Sequence, residues 1–442
     1  ESRLFLESTA RSFDIIQIVS AEEMAAETRG ATGLSGDYVL TTEGLRAAWL
    51  RLAPHGILTV TRGIQIPQRD VFKLATTLSE ALNSASIPDP DRHVIFARNY
   101  LANLLLAFRD PLTSSDLSSV HKPLLDLGLD VDWPRELSGA TSSGQFSAGS
   151  AGGLPSTTEA VAQLFSSSAA QFIRDWMYDI RPATDDRPYF RDFFRVRSIG
   201  WMKKVYRDQW YQRVELGFAI LLLALVEVIL LAAFVLLIPA FVWWKRERGL
   251  SSDSHGKAPL GRTLLYFFLI GIGFMALEIN CIARAEILVG DPVFSATLVI
   301  SVLLAGAGIG SALSAGFLRT TPAAIKALIG VLFMITLLSV LSAPSLPWLA
   351  SLSLPERGAI VAMFLLPLGL SLGFFFPIGL RVVRSRGESL VPWAWGANGF
   401  ASVAGPPLVT VIAMSAGHQV VFAVAAVSYL LAVLILPRQS QG

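Results

Sequence analysis

The sequence predicts two fold classes joined end to end, an α/β domain in the first half and an all-α membrane bundle in the second. Three observations predict this. About seven apolar runs fill the chain after Leu216, each near or above the roughly 20 residues a helix needs to cross a bilayer's hydrocarbon. Ahead of them, short β-branched runs alternate with helically spaced stretches, an order that builds a sheet with a parallel portion. The chain has 442 residues, 52% of them hydrophobic, and its mean hydropathy is +0.53, too apolar for an ordinary soluble enzyme of this length.

The first half reads in order as follows. Phe13 to Val19, FDIIQIV, is a β-branched run and reads as a buried strand. Ser20 to Asp37 is a polar connection. Thr41 to Leu52 has helical spacing, with Leu45, Ala48, Trp49 and Leu52 on one face, and Pro54-His55-Gly56 stops it. Gly56 to Thr61 is a second strand, and Val71 to Leu82 a second amphipathic helix. His93 to Ala97 and Leu104 to Phe108 read as two more strands, open to antiparallel pairing. Ser138 to Ser156 is a Gly/Ser-rich linker that cannot bury enough apolar surface to order itself. Thr157 to Tyr178 reads as one helix carrying Phe165, Phe172 and Trp176. The polar turn Thr184-Asp185-Asp186-Arg187 follows, then aromatics. Adjacent carboxylates seldom converge on one ion without further ligands. The expectation is therefore a turn held by Asp–Arg pairing, with Tyr189, Phe190, Phe193 and Phe194 against the membrane half.

The domain boundaries follow: an α/β domain over 1–137, a linker over 138–156, a docking segment over 157–213 and a bundle over 214–442. Candidate spans lie at about 216–244, 264–283, 294–318, 323–343, 358–380, 393–414 and 420–436. The sixth holds Asn398 and Pro406-Pro407 and is expected to be broken or partly re-entrant. Trp243, Trp244, Trp348, Trp393 and Trp395 sit near span ends, as interfacial aromatics do. Basic residues concentrate in the loops after the first, third and fifth spans and in the tail at Arg438. By the positive-inside rule those loops and the C-terminus are cytoplasmic, and the α/β domain is outside. The basic cluster from Arg195 to Arg213 opposes this, but large domains obey the rule poorly.

Several side chains are candidates for function. In the third span, Gly306, Gly310 and Ser314 recur every four residues, a spacing that lets helices approach closely, within the bundle or against a partner subunit. Glu227, Glu278, Asn280, Arg284 and Asn398 are polar residues in or beside spans, where an ionisable group costs roughly 2.5–3.5 kcal/mol. Glu278 and Arg284 fall on different faces of one helix, so their partners belong to other helices. The single cysteine, Cys281, excludes an internal disulfide framework or a Cys-rich metal site, and five scattered histidines argue against a His-rich one. A net charge of +2 makes no case for nucleic acid. The chain starts at Glu1, in what reads as the middle of a domain, so an upstream part is expected.

Residues 1–6, Phe13 to Ile18, Tyr38 to Glu43, Leu52 to Leu58 and Thr184 to Phe190 together resemble the second half of a spermidine-synthase or class I methyltransferase domain. With Gly273 through Glu278 and Arg284, and Trp393 through Gly399, the whole resembles the bacterial membrane-embedded spermidine-synthase-like proteins. The resemblance implies a partial Rossmann-like domain fused to a bundle in the bacterial inner membrane. It also implies an S-adenosyl-type cofactor, held by a Gly-rich turn and an acid that this chain does not include. Glu1 matches the acid that faces the adenine in the family. Val19 stands where the aminopropyltransferases place their aspartate base, with Glu22 and Glu23 close behind. Valine cannot accept a proton, which speaks against polyamine synthesis and less strongly against methyl transfer. The expectation is a non-catalytic accessory or assembly subunit with no cofactor, whose partners are the bilayer, other membrane subunits or a separate chain supplying the upstream half. The alternatives are an S-adenosyl-dependent aminopropyl- or methyltransferase, and a transporter.

Overall fold

The computed structural model describes residues 2–19, 36–65, 67–137, 155–208, 216–232, 234–235, 238–239, 241–242, 245, 260–317, 321–341, 347–385 and 388–436. The chain divides into two compact units, one over residues 2–220 and one from 221 onward.

The first unit is built on a mixed sheet of five strands in the order β1-β2-β4-β3-β5. Its elements are α1 (Ser2–Ser8), β1 (Phe13–Val19), α2 (Thr42–Leu50), β2 (Leu52–Gly63), α3 (Asp70–Ser84), β3 (Val94–Arg98), β4 (Ala102–Phe108), α4 (Ser114–Asp126) and β5 (Asp130–Trp133). β1 and β2 are parallel, because α2 carries the chain back between them. The other pairings are antiparallel. Residue alternation separates two cores: Val94 and Phe96 join Leu45, Trp49, Leu58, Val60 and Phe72, while Ile95 and Ala97 meet Leu124 and Val131 under α4.

Four expectations change here. β1 is an edge strand, not a buried one, with Ile15 65% and Val19 55% exposed. β2 begins at Leu52, and Pro54-His55-Gly56 forms an irregularity inside it: the register jumps from Phe13↔Leu52 to Ile15↔Ile57, with His55 at φ 64°. α3 is buried on almost every face, polar positions included. The expected helix over 157–178 is two helices, α5 (Thr157–Leu164) and α6 (Ala169–Asp175). The serine run Ser166-Ser167-Ser168 divides them, since serine hydroxyls compete for backbone bonds: Ser166 Oγ donates to Gln163 O at 2.8 Å. The linker expected over 138–156 lies outside the described residues except for its last two. A further helix, α7 (Val196–Tyr206), follows the 179–195 segment.

The apolar helices are α8 (Leu216–Ala232), α9 (Leu260–Val289), α10 (Pro292–Phe317), α11 (Thr321–Leu341), α12 (Leu354–Leu372), α13 (Phe375–Arg384), α14 (Val391–Ala416) and α15 (His418–Ile435). Among the described residues, five helical stretches are long and apolar enough to cross a membrane: 260–289, 292–315, 354–384, 388–416 and 418–435. Among the described residues, the expected first and fourth spans hold the shorter apolar helices Gly217–Ala232 and Ala324–Leu338. The chain is therefore a membrane protein. In the second unit, α9 is central and packs on α14, α15, α10, α12 and α13.

Two span details differ from expectation. The sixth span is continuous: α14 runs through Pro406-Pro407 without a break. Gly405 lets the Met275 side chain of α9 lie against it, and such neighbours let a membrane helix tolerate proline. The irregular turn lies instead in the fifth span, at Gly373-Phe374. Pro377 supplies no N–H for the carbonyl of Gly373, which removes one bond of the ladder between α12 and α13, while Gly373 and Phe374 keep helical dihedrals.

Candidate functional site

In an open α/β sheet, ligands bind outside the carboxyl ends of the parallel strands. In this chain that place is the end of β1 and β2 together with the start of α2. Val19 is the last residue of β1, paired with Thr61. It is apolar and has no proton to exchange. Glu1, Glu22 and Glu23 lie outside the described residues.

The residues that do meet at this end come from α1, α2 and the 184–187 turn. Thr41 caps α2 by accepting from Gly44 N at 3.0 Å, and its hydroxyl donates to Asp185 Oδ1 at 2.7 Å. Asp185 N donates to Glu43 Oε2 at 2.9 Å. Arg3 Nη2 lies 2.6 Å from Glu7 Oε1 and 3.3 Å from Asp185 Oδ2. The turn itself closes by Arg187 N donating to Thr184 O at 2.8 Å. Burial pushes the Glu43 carboxyl up, and the negative charge of Asp185 adds to this. Glu7 is also raised by burial, against the opposing charge of Arg3. The three carboxylates thus share one guanidinium, one hydroxyl and backbone donors. This arrangement fixes the turn on the helix. Asp–Arg pairing of the expected kind is present between Asp185 and Arg3 and between Arg187 and Asp179.

A second layer, on α3, holds the rest of the strap. Lys73 Nζ donates to Tyr189 O at 3.1 Å and to Asp192 O at 2.6 Å. Thr76 Oγ1 donates to Ile180 O at 2.7 Å, and Ala183 N donates to Thr77 Oγ1 at 3.2 Å. Burial pushes the Lys73 ammonium down to about 8, against the pull of Asp179 and Asp192. Asp179 meets Arg181 at 2.6 Å, Arg195 at 3.4 Å and Arg187 at 4.0 Å. Burial pushes its carboxyl up, but the hydrogen bond from Arg181 and the charges of Lys73, Arg181 and Arg187 outweigh this and hold it below the usual carboxylate range. Phe190 and Phe193 fill the core of the α/β unit itself, with the Arg62 guanidinium 4.8 Å from the Phe190 ring centre. The aromatics of this segment were expected against the membrane half; these two rings are buried in their own unit.

In the membrane unit, Gly306 and Gly310 face α12. A Cβ at Gly306 would press on the backbone of Gly369 and Leu370, and one at Gly310 would fall on the Leu370 carbonyl. Ser314 is buried, and its carbonyl accepts from Arg381 Nη1 at 2.9 Å. This face is therefore used inside the bundle. Asn280 Nδ2 donates to His418 O at 3.0 Å, and Asn398 Nδ2 donates to Phe267 O at 3.3 Å, so both amides brace α9. Arg284 is buried on α9 and Glu227 is exposed on α8. Glu278 is half-buried and makes no hydrogen bond or ion pair among the described residues. The structure does not bring Glu227, Glu278 and Arg284 together. Among the described residues, no group of His, Cys, Asp and Glu side chains is arranged to hold a metal ion.

Lys73, Thr76 and Thr77 escaped the sequence reading, because polar residues at i, i+3 and i+4 on an amphipathic helix have the spacing of a solvated face. Arg3 offered no signal beyond its charge. Comparison with protein families, with curated proteins and with solved structures finds no match to this chain.

Proposed function

We propose that the chain is a non-catalytic subunit of a larger membrane complex, built on a degenerate spermidine-synthase-like domain. The observation that carries this reading is that β1 lies at the edge of the sheet with no strand beside it among the described residues. FDIIQIV holds one charged residue, Asp14, and displays Ile15 and Val19 to solvent. Natural sheets blunt such edges with charge, proline or a covering element, because an open strand pairs with other chains. A partner strand is the natural cover, from another membrane subunit or a chain supplying the upstream half. The sheet supports a partial Rossmann-like origin: β1–α2–β2 is a parallel crossover unit, the building block of doubly wound sheets.

The carboxyl end of the sheet also favours assembly over catalysis. The polar groups there are engaged with one another, and the tip of β1 is Val19. On this reading seven spans cross a bacterial inner membrane, with the α/β domain on the periplasmic side and the C-terminus in the cytoplasm. The supply of S-adenosyl cofactors is cytoplasmic, so a periplasmic domain has no use for a site to bind them.

The test exploits the edge. Ile15→Lys with Val19→Lys leaves two exposed side chains exposed in the free chain, but sets two charges on the sheet face beside that edge, where a partner that pairs with β1 and covers this face would have to bury them. In mild-detergent extracts of native membranes, the wild type is expected in a complex larger than itself, and the double variant as the lone, folded chain. A wild type that migrates alone, or a variant whose complex is unchanged, contradicts the proposal. Saturable binding of an S-adenosyl cofactor by the purified chain would instead favour the transferase reading.

A further inference from the structure

The membrane unit contains a pocket of about 360 Å³ at one end of the bundle, within the roughly 300–1,000 Å³ typical of small-ligand sites. Two helices supply most of its wall, and Leu338, Leu349 and Phe422 close the rest. Cys281, Arg284, Ala285 and Leu288 line it from α9, and Arg357, Ile360, Val361 and Phe364 from α12, flanked by Met363 and Leu365. Both sets follow the i, i+3, i+4, i+7 spacing of a single helix face. Apart from Arg284 and Arg357 the lining is almost wholly apolar, and it contains no carboxylate.

The two arginines sit at the same end of the molecule. Arg284 is five residues before the end of α9, and Arg357 is in the first turn of α12. Arg357 Nη1 donates to Val289 O at 2.7 Å, which fixes the guanidinium near the end of α9. Its Nε is enclosed without a hydrogen-bond partner among the described residues. Trp348, 54% exposed, stands at the same rim in the connection that leads to α12. An indole at that level marks the interface between headgroups and hydrocarbon. From this rim the apolar wall of α12 descends from Arg357 to Phe364, a drop of about 10 Å at 1.5 Å per residue.

We propose that this pocket binds a phospholipid with a net anionic headgroup. Its phosphate meets the guanidiniums of Arg357 and Arg284, and one acyl chain lies along Ile360, Phe364 and Leu288. Guanidinium matches a phosphate bidentately, and the bond strengthens where water is scarce. A zwitterionic headgroup fits less well, because its cation would find no carboxylate in the lining. The inference is independent of the assembly reading and concerns the other unit.

The test uses the full chain in mild detergent, stripped of endogenous lipid. It is titrated with phosphatidylglycerol, phosphatidylcholine or inorganic phosphate, and bound molecules are counted by native mass spectrometry. Phosphatidylglycerol is expected to bind about tenfold more tightly than phosphatidylcholine, and Arg357→Gln to abolish that preference. Met363→Trp narrows the pocket without changing charge and is expected to reduce phosphatidylglycerol binding; it decides the matter if Arg357→Gln fails to fold. Equal binding of the two lipids by the wild type, an intact preference in folded Arg357→Gln, or displacement of the lipid by inorganic phosphate overturns the proposal.

Discussion

Lys73 illustrates what a single residue does here. It is a lysine on a helix, yet its ammonium is fully enclosed and bonded to two carbonyls of the 189–192 turn. Its charge titrates at about 8 in the folded chain, against an ordinary 10.5. Below pH 8 both states carry the proton, and the folded state bears the full cost of burying it. Between about 8 and 10.5 the unfolded chain holds the proton and the folded chain does not, so stability rises with pH. Above 10.5 the effect is complete. The contribution amounts to at most about 1.4 kcal/mol per pH unit inside that window. Thermal melts of the full chain from pH 7 to 10.5, compared with Lys73→Met, are expected to show the difference moving in favour of the wild type above pH 8. A constant difference would contradict the burial argument. The spacing of Lys73, Thr76 and Thr77 was legible in the sequence. Its meaning was not, because whether a polar stripe faces water or a distant strap is decided more than 100 residues away.

Elements show the same division between what is local and what is not. FDIIQIV was legible as a strand, since β-branched residues suit an extended backbone. Its place at the edge was not, because a central strand and an edge strand awaiting a partner have the same composition. The glycines of α10 make the contrast sharper. Gly306 and Gly310, which the spacing groups, both face α12, whereas Gly308 between them does not. Gly310 lies against the Leu370 carbonyl, while an added Cβ at Gly308 would meet nothing within 4 Å. Gly310→Ala is therefore expected to force α10 and α12 apart and lower the melting temperature in detergent. Gly308→Ala is expected to be neutral or to stabilise by up to about 1 kcal/mol through helix propensity. Equal effects of the two substitutions would refute this packing. Prolines misled in the opposite direction. Pro406-Pro407 suggested a break that α14 does not have, and the missing ladder bond at Gly373 follows from Pro377, whose missing N–H gave no sign in the spacing.

At the scale of the whole molecule, the division into an α/β part and a membrane part was legible from hydropathy alone, because bilayer thickness sets a length that composition reveals. The carboxylate cluster at Arg3, Glu7, Glu43 and Asp185 was only half legible: the turn was evident, but its partners are far away in sequence. The orientation proposed from loop charge is open to direct test, because Cys281 is the chain's single cysteine and is buried. After its replacement by serine, Val196→Cys and Ser440→Cys can be probed separately with a membrane-impermeant maleimide. Val196 is 76% exposed. Labelling of Val196→Cys in intact spheroplasts, and of Ser440→Cys only after lysis, is the expected pattern. The reverse pattern would place the α/β domain in the cytoplasm and revive the transferase reading.

Photo-crosslinking tests most directly whether a partner covers β1. A photoreactive phenylalanine replaces Ile15 on the open edge, or Leu127, which is also exposed but lies beyond α4, away from that edge. Irradiation in living cells is expected to give a discrete adduct with one other polypeptide from position 15 and none from position 127. Position 15 yielding no adduct, or the same diffuse products as position 127, would contradict the assembly function.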